Sequence, residues 1–318
     1  MIASPKRWSQ VIVLVLFFHA VSHVNAQTDS DALKYPETRE DDVADQYHGK
    51  KVADPYRWLE DTESEETAEW VAAQNKVTQR YLSALPQREA MRQRLEKLWN
   101  YERYGIPSVR GGRYFYSHND GLQNQSVFYT ADSLTAERRV LIAPNGLSED
   151  GTVSLAGVAI SRDGSLVAYG LADGGSDWRT WKVRDVQSGN DLDDVVRWVK
   201  FSSVAWLPDG SGFFYSRYAE PKDGEELTGT NENQRMYFHR IGTEQSQDEL
   251  VVDRPDHPKW GFSPMVTDDG RYLVIHNWKG SEPKSQIFVK DLQDPDSDVK
   301  PLITGFDSEY EFVASTKD

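Results

Sequence analysis

A glycine-containing turn followed by an alternating, aromatic-rich strand returns four times in this chain, and no other feature narrows its possible folds so far. The copies run Arg110–Tyr116, Arg162–Tyr169, Pro208–Tyr215 and Asp268–Ile275. Their central glycines are Gly112, Gly164, Gly210 and Gly270, in steps of 52, 46 and 60 residues. A tight hairpin turn needs a residue that tolerates positive φ, and the alternation after it demands a half-buried strand. Units of about 50 residues with several strands each are the signature of β-propeller blades. A β-sandwich is the competing architecture, but sandwiches do not usually repeat one similar hairpin at such spacing. The content of 10 Trp, 15 Tyr and 12 Phe against four Met also favours strands, because aromatic rings pack well on a pleated surface. Residues Tyr310–Thr316 read as the first strand of a further unit, and the sequence stops at Asp318 without the turn expected next. The expectation is a mainly β chain with about four blades and the start of a fifth, in an incomplete ring.

Ahead of the repeats, from Thr62 towards Asn100, the pattern is helical. Thr62 with Glu65 fits a capping box, and Trp70, Val77, Tyr81 and Leu85 recur at helical spacing. Pro86 suits the first turn of a second helix carrying Met91, Leu95 and Leu98. Both apolar stripes are expected to be core.

Residues 1–26 read as a secretory signal: Lys6 and Arg7 form a basic start, Val11 to Phe18 an apolar run, and Val24-Asn25-Ala26 a small-residue cleavage site. The run is shorter than the roughly 20 residues of a spanning helix. The expected layout is a signal at 1–26, an amino-terminal helical segment at 27–99 and a partial propeller at 100–318, in a secreted or periplasmic protein with no membrane contact after cleavage. Cleavage would remove two cations and no acids, moving the formal charge from -15 to -17. Such a surface repels phosphate backbones and anionic lipid, so nucleic acid is not an expected partner. With no Cys there is no disulfide, thiolate metal site or cysteine nucleophile.

Several short runs resemble one family. Lys34-Tyr35-Pro36-Glu37-Thr38-Arg39, Tyr47-His48-Gly49 and Asp54-Pro55-Tyr56-Arg57-Trp58-Leu59-Glu60-Asp61 are similar to the opening segment of prolyl oligopeptidases, serine peptidases of the prolyl endopeptidase type. Ala73-Gln74-Asn75-Lys76 resembles the first helix of that family. Arg113-Tyr114-Phe115-Tyr116, Gly121 to Gln125, Leu147 to Thr152, Gly175 to Trp178 and Val199-Lys200-Phe201-Ser202 resemble its blades, so the likeness runs from Lys34 to the end. The resemblance implies a seven-bladed propeller between an amino-terminal segment and a carboxy-terminal α/β-hydrolase domain. It implies cleavage of short proline-containing peptides, with the propeller gating access. The leader would pack on the hydrolase domain, which is expected beyond Asp318 together with the catalytic side chains, leaving this chain inactive alone. It also implies that Phe201 lines an outer substrate subsite; Gly261 and Ser281 stand where family members carry apolar or sulfur-bearing residues, which would make a second subsite roomier.

The residues themselves support no complete catalytic set. A nucleophile elbow usually reads Gly-x-Ser-x-Gly; Gly174-Gly175-Ser176-Asp177-Trp178 comes nearest, lacks the closing glycine and reads as a turn. His48, His118, His239, His257 and His276 show no zinc-type spacing, and His48 is expected to pack or hydrogen-bond within the opening motif. Asp294, Asp296 and Asp298 fail the pattern of a calcium loop and read as a solvated turn, and Asp191, Asp193 and Asp194 read as a charged connection between strands. Neither Gly-x-Gly-x-x-Gly nor a P-loop occurs, so no cofactor is expected. The alternative function is a non-catalytic, secreted propeller module that binds peptides or proteins.

Overall fold

The computed structural model describes residues 33–222, 224–226 and 229–315. The signal reading at 1–26 and the end of the expected fifth-unit strand, Thr316, lie outside these residues. The chain divides into two compact units after Pro86.

In the first unit, β1 (Ala44–Tyr47) and β2 (Lys50–Ala53) form an antiparallel hairpin around His48 and Gly49, whose φ values are 51° and 81°. His48 is therefore a turn residue exposed to solvent, which replaces the packing or hydrogen-bonding role expected of it. The guanidinium of Arg57 is shared between Asp45 and Asp54, 2.8 Å from the latter, and fastens the hairpin to a short 3-10 turn at Arg57–Glu60. Helix α1 (Glu65–Ala84) follows, capped by Ser64, whose hydroxyl accepts the Thr67 N–H at 3.2 Å. The expected cap, Thr62, lies too early because the chain is still turning there: Ser64 donates its backbone N–H and its hydroxyl to the Asp61 carbonyl. Trp70 donates to Thr38 at 2.9 Å, and Arg39 clamps Glu66 at 2.7 and 3.0 Å, so the extended opening segment is bound along α1.

The apolar stripes do not become core. On α1 only Val77 of the stripe is buried, while Tyr81 and Leu85 are exposed. Helix α2 (Arg88–Trp99) begins after a turn at Pro86-Gln87 and buries nothing; Met91, Leu95 and Leu98 are exposed. The helical period predicts one apolar face correctly, but no described element covers it.

Beyond α2, the second unit consists of four antiparallel sheets. β3 (Arg103–Tyr104) and β4 (Ser108–Arg110) both pair with β5 (Arg113–Asn119), followed by β6 (Val127–Ala131) and β7 (Arg139–Ile142). The next sheet runs β8 (Ser154–Ile160), β9 (Leu166–Ala172), β10 (Arg179–Asp185) and β11 (Asp191–Val199). The third contains β12 (Ala205–Trp206), β13 (Gly212–Arg217), β14 (Arg235–Arg240) and β15 (Glu249–Val252). The fourth contains β16 (Trp260–Val266), β17 (Tyr272–Lys279), β18 (Ser285–Asp291) and β19 (Lys300–Ile303). Each repeat glycine turns the chain from the first to the second long strand of its sheet, with φ between 69° and 77° at Gly112, Gly164, Gly210 and Gly270. Residues 310–315 form no strand; the Tyr310 N–H instead meets the Ser285 hydroxyl at 2.8 Å.

The sheets pack face to face, which explains the dense aromatic strands. Successive strand residues point to opposite faces. On β13, Phe213 and Tyr215 meet Trp181 and Val196 of the second sheet, whereas Phe214 between them meets the cluster that holds Phe262 and Ile275 of the fourth. On β9, Ala168 faces the third sheet while Val167 and Tyr169 face Phe115 and Phe128 of the first. Both faces of a middle sheet are therefore desolvated, and its strands tolerate little polarity. The strands β4, β8, β12 and β16 line one shared cavity of about 610 Å³.

Candidate functional site

The candidate site is the corner where β11 ends and the chain crosses to β12. Two large residues within four positions there take the left-handed backbone conformation, Trp198 at φ 62° and Phe201 at φ 54°. Non-glycine residues seldom adopt it, and each instance costs about 1–3 kcal/mol unless its surroundings impose it. Several contacts impose it here. Tyr218 donates its N–H to the Trp198 carbonyl at 3.0 Å, and Ser216 donates its N–H to the Ser202 hydroxyl at 3.0 Å. The buried Gln234 amide donates to the Lys200 carbonyl at 2.9 Å. Lys200 and Ser202 are buried, and Phe201 between them is 44% exposed. The backbone is thus bent so that an apolar ring stands in water between two buried neighbours.

Behind Phe201 lies an aromatic cluster. Trp178 meets Trp198 edge-on at 5.6 Å and 88°, and Tyr218 at 6.1 Å and 84°. The Lys200 ammonium sits 3.8 Å from the Trp178 ring centroid and donates to Asn231 Oδ1 at 3.2 Å. Burial lowers its pKa, with the charge of Asp177 opposing that shift, so the cation–π contact and the Asn231 oxygen supply stabilisation lost from water. The indole N–H of Trp178 donates to the Glu226 carbonyl at 2.7 Å, bringing in the loop between β13 and β14.

Gly261 lies on β16 opposite Trp278, and a Cβ at 261 would overlap the Trp278 indole. The room expected beside Gly261 is already filled by that ring, which corrects the reading of a roomier subsite. Ser281 lies exposed in the turn between β17 and β18.

A second polar assembly joins the second and third sheets. His239 on β14 is fully buried, with Nδ1 2.7 Å from Asp248 and Nε2 3.1 Å from Asp194 on β11. Tyr215 donates to the other Asp248 oxygen at 2.6 Å, and Asp194 also accepts the Gly242 N–H at 2.6 Å. Burial alone pulls the imidazolium pKa down, but the hydrogen bonds and charges of Asp248 and then Asp194 outweigh it and hold His239 above its ordinary value. Burial and Asp248 likewise push the Tyr215 phenol up. The imidazole itself fills the space between the carboxylates, and among the described residues no His, Asp and Glu group has metal-ligand geometry. The expected charged connection at Asp191, Asp193 and Asp194 is corrected: all three lie on β11, where Asp194 is buried and Asp191 accepts from Arg184 at 2.6 Å and Tyr169 at 2.8 Å.

The remaining motifs fall as follows. His118 is buried 2.7 Å from Glu102, His257 stacks on Trp260 at 3.9 Å, and His276 is half-buried. Ser176 lies in the turn between β9 and β10, and Asp294 and Asp296 lie in an exposed turn closed by the Asp296 N–H at 3.1 Å. Among the described residues no helix is long and apolar enough to cross a membrane. Trp178 and Lys200 fall within the Gly175–Trp178 and Val199–Ser202 runs, which pointed to this corner without showing the part each plays; Gln234 lies in neither run.

Sheets of this kind, stacked in chain order around a shared cavity, define a propeller-type domain. The family model for the prolyl oligopeptidase N-terminal β-propeller domain matches residues 35–318. The chain is 42% identical over 302 residues to a prolyl endopeptidase of Elizabethkingia meningoseptica, covering 95% of this chain and 42% of that protein. It is 33% identical to prolyl oligopeptidase A of Amanita bisporigera, covering 92% of this chain and 43% of that one. Among solved structures, a prolyl endopeptidase at 39% identity aligns over 89% of this chain and 41% of its own, with a TM-score of 0.64. Prolyl oligopeptidase B of Galerina marginata, bound to a 25-residue macrocyclization substrate, is 27% identical and aligns over 89% and 43% with a TM-score of 0.76. This chain belongs to the prolyl oligopeptidase family, and it spans about two fifths of the length of the curated relatives it matches.

Proposed function

We propose that this chain is the propeller portion of an exported prolyl oligopeptidase, a serine endopeptidase that cleaves short peptides after proline. The four sheets act as propeller blades that screen substrates by size, and Phe201 contacts the bound peptide. A Ser nucleophile, a His base, an Asp that orients it and backbone donors for the oxyanion are supplied by a hydrolase domain outside these residues. That domain covers the apolar faces of α1 and α2, and residues 1–26 direct export. The chain alone does not hydrolyse peptides.

The observation that carries the site reading is Phe201: 44% exposed, bent to φ 54° and flanked by buried residues. The hydrogen bonds of this corner hold a strained backbone whose effect is to leave part of an aromatic ring open to solvent, where a bound peptide would cover it. The test replaces the matching segment of the Elizabethkingia meningoseptica enzyme with residues 35–318 and follows a chromogenic proline peptide. Phe201→Ala is expected to raise KM about tenfold with little change in kcat, the pattern of lost uniform binding. An unchanged KM would remove Phe201 from the substrate site. Turnover by the isolated chain that a serine-directed phosphonate abolishes would refute its inactivity. Fusing residues 1–26 to a reporter tests export.

A further inference from the structure

We infer that Gln234 is the positioning residue for Phe201, an inference that rests on the subsite reading only where it concerns peptide. Gln234 immediately precedes β14, is 2% exposed, and its two amide atoms are used in different directions. Its nitrogen donates to the Lys200 carbonyl at 2.9 Å, one residue before Phe201. Its oxygen accepts the Phe262 N–H at 2.6 Å, on the first strand of the fourth sheet. One side chain in the third sheet therefore ties the strained corner of the second to the edge of the fourth.

The neighbouring backbone reinforces this placement. Asn233 is itself left-handed at φ 60°, and its N–H meets the Pro258 carbonyl at 2.6 Å, which aims the Gln234 side chain inward. No other side chain in the described residues reaches both the Lys200 carbonyl and the Phe262 amide. Without Gln234 both groups would be buried and unpaired, a strongly disfavoured arrangement. The Lys200 peptide would then be free to rotate and take Phe201 to an ordinary backbone conformation. The pose of Phe201 is thus set from β14, through an amide that itself touches no substrate.

Two variants of the full chain test this. Gln234→Leu removes both bonds. Gln234→Glu keeps the acceptor for Phe262 but places a second acceptor against the Lys200 carbonyl until the carboxyl protonates. By NMR, the Lys200 carbonyl and Phe201 Cα shifts should leave their wild-type, left-handed values in both variants, while amide exchange at Phe262 should speed up about tenfold in the Leu variant only. Ile275, deep in β17, should keep its protection, and lowering the pH should return the Phe201 shifts of the Glu variant to their wild-type positions. Unchanged shifts at Lys200 and Phe201 in both variants would overturn the inference. If Gln234→Leu fails to fold, the pH-dependent rescue of Gln234→Glu decides, and its absence counts against the inference. N-acetyl-Ala-Gly-Pro-amide is titrated into wild type, Phe201→Ala and Gln234→Glu. Loss of the shifts at Ser202 in both variants supports the positioning role. Peptide-induced shifts that survive Phe201→Ala refute the subsite while leaving the Lys200 and Phe201 backbone shifts to decide Gln234.

Discussion

Asp248→Asn is expected to lower the melting temperature and to change how it depends on pH. In the folded chain Asp248 accepts from His239 Nδ1 at 2.7 Å and from Tyr215 at 2.6 Å, in a site from which water is excluded. Asp194 still faces His239 Nε2 at 3.1 Å, so the loss is that of one charge-assisted hydrogen bond in a buried site, about 1.5–3 kcal/mol. At about 2–4 °C per kcal/mol for a domain of this size, the expected drop is about 3–12 °C. The sign of the pH effect follows from His239, whose folded pKa is raised. Its contribution is fully present below the unfolded value of about 6.5 and is lost as pH climbs through the raised folded value. In that window the slope is at most about 1.4 kcal/mol per pH unit for this one proton. Calorimetry of wild type and variant between about pH 5.5 and 9 reads both effects, and the variant should lose stability less steeply above neutrality. A variant that melts within a degree of wild type, or retains the full wild-type slope, would refute the claim that the imidazolium is held between two carboxylates.

Phe201→Gly should keep or raise the melting temperature by relieving about 1–3 kcal/mol of left-handed strain, while abolishing peptide contact; a clear loss of stability would show that the ring is a packing element. Gly212→Ala should cost about 1–3 kcal/mol in urea unfolding, because the new methyl would overlap the His239 carbonyl and the Phe238 ring; an unchanged midpoint would show that β13 and β14 can separate. Ser64→Ala should cost about 1 kcal/mol and speed amide exchange at Thr67, whereas Thr62→Ala should do neither.

The sequence by itself determined the four hairpins and the alternation after them, because both are local. Positive φ at Gly112, Gly164, Gly210 and Gly270 is a demand that a single residue meets, and a period of two shows within one strand. The family was legible for a similar reason: many short runs in a fixed order survive without knowledge of any contact. Tertiary structure decided the rest. Ser64 rather than Thr62 caps α1 because the turn at Asp61 delays the helix, and the stripes on α1 and α2 stand open because periodicity predicts a face but not what covers it. Asp194 became a buried partner of His239 across 45 residues, and Gln234 became a strut between Lys200 and Phe262 at separations of 34 and 28 residues. Polar side chains like these are indistinguishable in sequence from surface ones. Their roles arise only when packing sheets against one another removes water and leaves each donor and acceptor to find a partner from another strand.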